Sequence, residues 1–118
     1  MIREIGKLAV GVEYDGVMQQ EFSLGPQLVK HTFEVMREEG EKADDALYMG
    51  VCLLAKQIVK LGTIPKEEIT RETLMNMTAV DFNILCEARD ALEVRQKSFC
   101  EEPKKPEKSN PDNAKTGV

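Results

Sequence analysis

The chain has 118 residues and a net charge of −5 at neutral pH, with 42% hydrophobic and 31% charged residues. This length and composition suit one folded domain with a single core. The acidic balance argues against nucleic-acid binding, which needs a surplus of Lys and Arg on one face. Three widely spaced Cys without a CxxC pair indicate free thiols, and no apolar run approaches the roughly 20 residues that span a bilayer. The sequence therefore predicts a cytoplasmic protein without a signal peptide or a membrane span.

The first predicted element is a β-hairpin over about residues 7–24. A two-residue turn at residues 15–16 would mix its apolar and polar faces, so the pattern favours a three-residue loop over residues 14–16. That loop pairs Val12 with Met18 and needs Gly16 in the left-handed conformation. The prediction rests on the period-two alternation of Leu8, Val10, Val12, Met18, Phe22 and Leu24.

Two long helices are predicted to follow the hairpin. The first has Pro26 near its start and ends at Gly40. The second opens at residues 44–45, where two Asp suit the positive end of the helix dipole, and runs to Gly62. We expect the apolar stripe of this helix to pack in the core. The stripe is Leu47, Val51, Leu54, Ile58 and Leu61.

A third long helix is predicted after a short helical segment at about residues 71–76. The residues Thr78-Ala79-Val80-Asp81 match a capping box, in which Thr78 accepts a hydrogen bond from a free N–H and Asp81 reaches back toward the cap. The apolar side of this helix is Val80, Ile84, Leu85, Ala88, Leu92 and Phe99.

The predicted fold class is therefore α+β, with an N-terminal antiparallel β-hairpin packed on a small bundle of three main α-helices plus a short helix. One domain is expected at residues 1–99. Beyond it, residues 100–118 are mostly Glu, Lys, Pro, Ser and Asn, a composition that predicts a disordered charged tail.

The sequence predicts no catalytic, cofactor-binding or metal site, and hence no enzyme. His31 is the only histidine, so a His-based metal cluster has no partners nearby in sequence. The acidic residues 38–45 lack the alternating oxygen ligands of an EF-hand loop. Cys52 and Cys86 lie on or beside apolar helix faces, where a free Cys behaves as a small buried hydrophobe.

Six Met in so short a chain are its one suggestive excess. Flexible thioether side chains adapt to partners of varied shape, although Met also fills gaps in a core that is poor in aromatic residues. Met18 and Met36 fit the gap-filling interpretation. The predicted partner-binding residues are the apolar side chains left over from the core stripes: Phe33, Met49, Met75 and Met77.

The order of elements carries a family resemblance. The hairpin "VGVEYDGVMQQEFSL" is followed by a helix pair and by "LAKQIVKLGTIPKEEITRETLMNMTAVDFNILCEARDALEVRQ". Over about residues 6–97 this resembles the small tail assembly chaperones of Mu-like and related contractile-tailed phages and prophages. Neither Cys86 nor the tail after Phe99 matches the family. The most telling residues are Leu61, Gly62, Ile64, Pro65, Ile69, Thr70, Thr78, Asp81, Leu85, Ala88, Leu92, Glu93 and Arg95.

The resemblance implies a non-enzymatic assembly factor that binds the tape measure protein. Such a factor keeps that long helical chain soluble and gives way as tail tube subunits polymerise around it. Two other functions remain open on the sequence: a structural minor tail or connector protein of the virion, and a small regulatory protein-binding module.

Overall fold

A computed structural model describes residues 2–98. The predicted α+β fold, with a hairpin, three main helices and a short helix, is confirmed. Short 3-10 turns precede α2 and α3, and the predicted tail lies outside the described residues. The elements are β1 (Glu4–Tyr14), β2 (Val17–Leu24), α1 (Val29–Glu39), α2 (Ala46–Gln57), β3 (Ile58–Leu61), α3 (Arg71–Met75) and α4 (Ala79–Ser98).

The sheet has a third strand that the sequence pattern assigned to a helix. The predicted extension of the second helix to Gly62 is wrong, because α2 ends at Gln57 and the chain continues as β3, antiparallel to β2. β-branched residues at 58 and 59 favour the extended backbone. A register shift in the β2–β3 pairing lets both Ile58 and Leu61 point into the core, where they are fully buried. Burial at these two positions fits a helix equally well, so periodicity could not separate the two structures.

The hairpin turns over two residues, so the predicted three-residue loop is wrong. Tyr14 pairs with Val17, and Val12 pairs with Gln19 rather than with Met18. Gly16 has the predicted left-handed backbone, with φ of 76°, and the residue before it also has a positive φ, of 53°. Two positive φ angles are the signature of a type I′ turn, whose twist matches that of the flanking strands.

The observed register places a polar side chain on the inner face of the sheet. Gln19 is buried, while Met18 is half exposed on the outer face. Gln19 is tolerated there because its amide is hydrogen-bonded: Oε1 accepts from the N–H of Thr63 at 3.0 Å, and Nε2 donates to the carbonyl of Val17 at 3.4 Å. The rule that apolar and polar side chains lie on opposite faces of the sheet therefore did not predict the register of this hairpin.

A four-residue bulge interrupts β1. Lys7 pairs with Glu21 and Val12 pairs with Gln19, so residues 8–11 stand opposite the single residue Gln20. We call residues 8–11 the β1 bulge. The Gln20 side chain donates to the carbonyl of residue 9 at 3.1 Å, which replaces part of the interrupted ladder.

The N–H groups of the β1 bulge bind the carboxylate of Asp81 in the first turn of α4. Ala9 and Val10 donate to Oδ1 at 2.8 and 3.0 Å, and Gly11 donates to Oδ2 at 2.8 Å. Asp81 is fully buried. Its predicted role, reaching back to the cap, is wrong because the carboxylate binds the strand. The other half of the predicted cap is present, since Thr78 Oγ1 accepts from the Asp81 N–H at 3.2 Å.

The core lies between the inner face of the sheet and helices α2 and α4. Of the residues expected there, Val51, Leu54, Ile58, Leu85 and Leu92 are buried and Ala88 is half-buried. The prediction for Leu47 is wrong, because its side chain is 75% exposed. Leu47 lies in the first turn of α2, one turn beyond the part of the helix that the core covers.

Gly11 supplies a test of the β1 bulge. Its φ is 100°, and a Cβ at this position would lie 2.8 Å from the carbonyl oxygen of Gln19. Gly11→Ala should therefore lower the free energy of unfolding by about 1–3 kcal/mol from backbone strain alone. Denaturant unfolding at pH 7 measures the change. The matched control is Gly50→Ala in α2, where a Cβ meets nothing within 4 Å. This substitution should raise the free energy of unfolding by about 0.5–1 kcal/mol. An unchanged Gly11→Ala variant would contradict the bulge geometry.

The charge of Asp81 supplies a second test. Burial raises the pKa of its carboxyl group, but the three backbone hydrogen bonds and the Thr78 hydroxyl outweigh that effect and hold the pKa below its usual value. A carboxyl group whose pKa is lower in the folded state stabilises the fold above the unfolded value of about 3.9, and this contribution is lost as pH falls through the folded pKa. Asp81→Asn should cost about 2–3 kcal/mol at pH 7, because one amide oxygen replaces two charged acceptors.

Denaturant unfolding of wild type and Asp81→Asn over the acid range checks this expectation. The difference between the two should shrink as pH falls from the unfolded value of about 3.9 through the folded pKa of Asp81. Asp90→Asn is the control, since the Asp90 side chain is 66% exposed and, among residues 2–98, pairs only with its neighbour Arg89. A gap of constant size down to the lowest accessible pH would mean that ionised Asp81 is not the source of the stability.

Candidate protein-binding groove

An open apolar groove lies where the start of α2 meets α3 and the start of α4. Its volume is about 410 Å³. Of its two protruding side chains, Leu47 is 75% exposed and Met75 is 47% exposed. We call this site the apolar groove. Its lining residues are Asp45, Leu47, Tyr48, Val51, Leu74, Met75, Met77, Ala79 and Phe82.

The first turn of α2 builds one wall of the apolar groove. Asp45 caps this helix: its Oδ1 accepts from the N–H groups of Leu47 at 2.9 Å and Tyr48 at 3.1 Å. The cap fixes where the helix begins, and thereby sets Leu47 at the rim. Val51, one turn later on the same side, is buried at the base of the groove.

α3 and the turn that follows it build the opposite wall. Leu74 is buried and anchors this five-residue helix in the core, which leaves the adjacent Met75 facing outward. The side chain of Asn76 donates to the carbonyl of Glu72 at 3.0 Å and so closes the end of α3. Met77 packs partly against the core at the junction with α4.

The start of α4 forms the third side. Asp81 fixes this turn against the β1 bulge, and Phe82, the next residue, is half-buried against the core and lines the groove. The elements that form the groove are therefore held in place by contacts on the side that faces the core and the sheet. Substitutions on its open side should leave the fold intact.

A charged cluster bounds the apolar groove on the α1 side. Tyr48 donates its hydroxyl to Glu39 Oε1 at 2.7 Å, and this hydrogen bond raises the pKa of Tyr48. The Arg71 guanidinium lies 5.3 Å from the centre of the Tyr48 ring and 2.6 Å from Glu72 Oε2. Arg71 offsets only one of its two acidic neighbours, Glu39 and Glu72, so this side of the groove keeps a net negative charge. The carboxylates of Asp44 and Asp45 add to it.

Beyond that cluster lies a second cavity, of about 470 Å³, with charges of both signs at its wall. The thiol of Cys52 borders it. Burial raises the pKa of Cys52, and it does the same for Cys86, so both thiols stay protonated at neutral pH. Within residues 2–98, no group of three His, Cys, Asp or Glu side chains is placed to hold a metal ion.

His31 has a structural role at the start of α1. Its Nδ1 accepts from the N–H of Leu28 at 3.0 Å, which satisfies a backbone donor ahead of the first turn. Burial lowers the pKa of His31. The neutral imidazole that accepts this hydrogen bond is therefore the form favoured at neutral pH.

The structure brings together two of the four predicted partner-binding residues. Met75 and Met77 line the apolar groove. Phe33 is 61% exposed on α1, outside the groove, and Met49 is half-buried on α2, also outside it. Sequence reasoning missed Leu47, which it assigned to the core. One feature of the sequence indicated that Leu47 is exposed. It lies in the first turn after the Asp45 cap, where the apolar stripe of a helix extends beyond the elements that pack against it.

Comparison of the chain with protein-family models, curated proteins and solved structures finds no match. The likeness to tail assembly chaperones therefore rests on the residues of the sequence alone. In the described part of the chain, no helix combines the length and apolarity needed to cross a membrane.

Proposed function

We propose that this protein is a non-enzymatic tail assembly chaperone, which binds a helical segment of the tape measure protein in the host cytoplasm and keeps it soluble during tail assembly. The observation that carries the proposal is the apolar groove. The side chains of Leu47 and Met75 in this groove are exposed and have no partner within residues 2–98. The helices that carry them are held in place by contacts with the core.

The groove has the chemistry of a helix-binding surface. Amphipathic helices place apolar side chains at positions i, i+3, i+4 and i+7 into apolar grooves of this kind. Met side chains at the wall adapt to different apolar residues, which suits a client that presents many similar segments. The net charge of −5 keeps a complex with an aggregation-prone client in solution.

Release is part of the proposed function. A groove of about 410 Å³ that is open along one side holds only a few client side chains at a time. Contacts of this size are exchangeable, because only the surplus over the entropic cost of association appears as affinity. Tail tube subunits that polymerise around the tape measure can then displace the chaperone.

Met75→Ser tests the groove as the client site. Loss of this apolar contact should weaken capture of the co-expressed tape measure protein by about 1–2 kcal/mol, roughly five- to thirtyfold in affinity. The melting temperature should stay nearly unchanged because Met75 is 47% exposed. The matched control is Met18→Ser in β2, a Met that is 48% exposed and outside the groove.

Equal capture by the two Met variants would show that the client binds elsewhere. Met77 is a less specific probe, since it packs partly on the core and its loss should lower stability as well.

The protein composition of purified virions distinguishes the chaperone from a structural virion protein. A chaperone is absent from purified particles, whereas a minor tail or connector protein persists in them. A regulatory module would capture a host protein in place of the tape measure protein.

A further inference from the structure

A second unpartnered apolar surface lies on α1. Val29, Phe33 and Met36 are 76%, 61% and 52% exposed. Their spacing of four and three residues puts them on one face of the helix, and we call them the α1 stripe. The core side of α1 is a different face, which carries the buried Val35.

Free positive charge borders the α1 stripe. Lys30 and Arg37 lie three residues before and four residues after Phe33, so they flank it on the helix surface. Both are exposed, and neither forms an ion pair with a residue in the range 2–98. The carboxylates of Glu34 and Glu38 on the neighbouring face are engaged by Lys56.

The apolar groove has free charge of the opposite sign. Asp45 lines it and Asp44 precedes that residue; both are exposed, and neither is ion-paired to any residue from 2 to 98. One chain thus carries an amphipathic helix face with a basic border and an apolar groove with an acidic border.

We propose that the α1 stripe of one copy docks in the apolar groove of a second copy. Phe33 supplies the central side chain, while Lys30 and Arg37 meet Asp44 and Asp45. The two surfaces are different parts of the chain, so the contact is heterologous, and every head-to-tail assembly keeps one free groove at one end and one free stripe at the other. The protein therefore associates head to tail as concentration rises.

Self-docking also has a consequence for client binding, and that consequence rests on the proposed function. A client helix and the α1 stripe of a neighbour compete for one groove. In the absence of a client, self-association covers the exposed side chains of the groove. Binding of the tape measure protein then frees one copy for every groove that it fills.

A mixing experiment tests the interface. Phe33→Asp removes the stripe and keeps the groove; Leu47→Asp removes the groove and keeps the stripe. Each full-length variant should sediment as a monomer at concentrations where the wild type associates. Mixed together they should form a 1:1 heterodimer and nothing larger. Val94→Asp, which replaces an exposed apolar residue on α4 outside both surfaces, should associate like the wild type.

Three results would overturn self-docking: a wild type that stays monomeric, a Phe33→Asp variant that still associates alone, or a mixture that yields no heterodimer. Far-UV circular dichroism melting confirms that each variant is folded. Should an Asp variant unfold, charge reversal replaces it. Arg37→Glu and Asp44→Lys should each weaken association at low salt at least about tenfold, and the double variant should restore it. Failure of the double variant to recover would equally count against the interface.

Capture of the tape measure protein separates this inference from the proposed function. Phe33→Asp should retain capture, since its groove is intact, while losing self-association. A wild type that captures the client and never associates overturns the self-docking alone. A wild type that associates as predicted but captures no tape measure protein overturns the chaperone function alone.

Discussion

The buried carboxylate of Asp81 joins helix α4 to strand β1 of the sheet. It accepts three N–H groups from the β1 bulge, which no strand partner could satisfy, and it does so from the first turn of α4. Buried backbone donors must find acceptors, and an ionised carboxylate supplies several at once. The interaction therefore explains the interrupted ladder of β1 as well as the position of α4.

α4 is fixed against β1 at two places. Asp81 binds near residues 9–11, and at the other end Arg95 pairs with Glu4 at 2.9 Å and donates to the carbonyl of Arg3. The Arg95 contacts are largely exposed and contribute little, whereas the Asp81 contacts are buried. With α4 fixed at its start, the turn that bears Met77 and Phe82 has a defined place, and both residues line the apolar groove.

The sequence predicted element types well where the pattern was long and regular. The three main helices, the short helix and the hairpin all followed from periodicity and capping residues. It failed where tertiary contacts decide between local alternatives. Ile58 and Leu61 are buried in a helix or in a strand alike, and only pairing with β2 selects the strand. Gln19 lies inside the sheet because Thr63, 44 residues away, supplies a donor.

The site was predictable in part for a related reason. Met75 and Met77 were identified because they fall off the core stripes, which is a property of the sequence. Leu47 was misassigned because it continues the core stripe of α2; the stripe does not reveal where the covering elements stop. Asp81 was identified as a capping residue, yet its partner is a strand some 70 residues away, and no local pattern encodes that distance.

The proposed chaperone function requires that the apolar groove binds a helix of the tape measure protein. Labelled methionine methyl groups report on this directly, since the chain has six Met. On addition of purified tape measure fragments, the NMR signals of Met75 and Met77 should shift in proportion to bound client, while those of Met18 and Met49 stay in place. Shifts confined to Met18 or Met49, or no shift in the presence of a co-purifying client, would contradict the account.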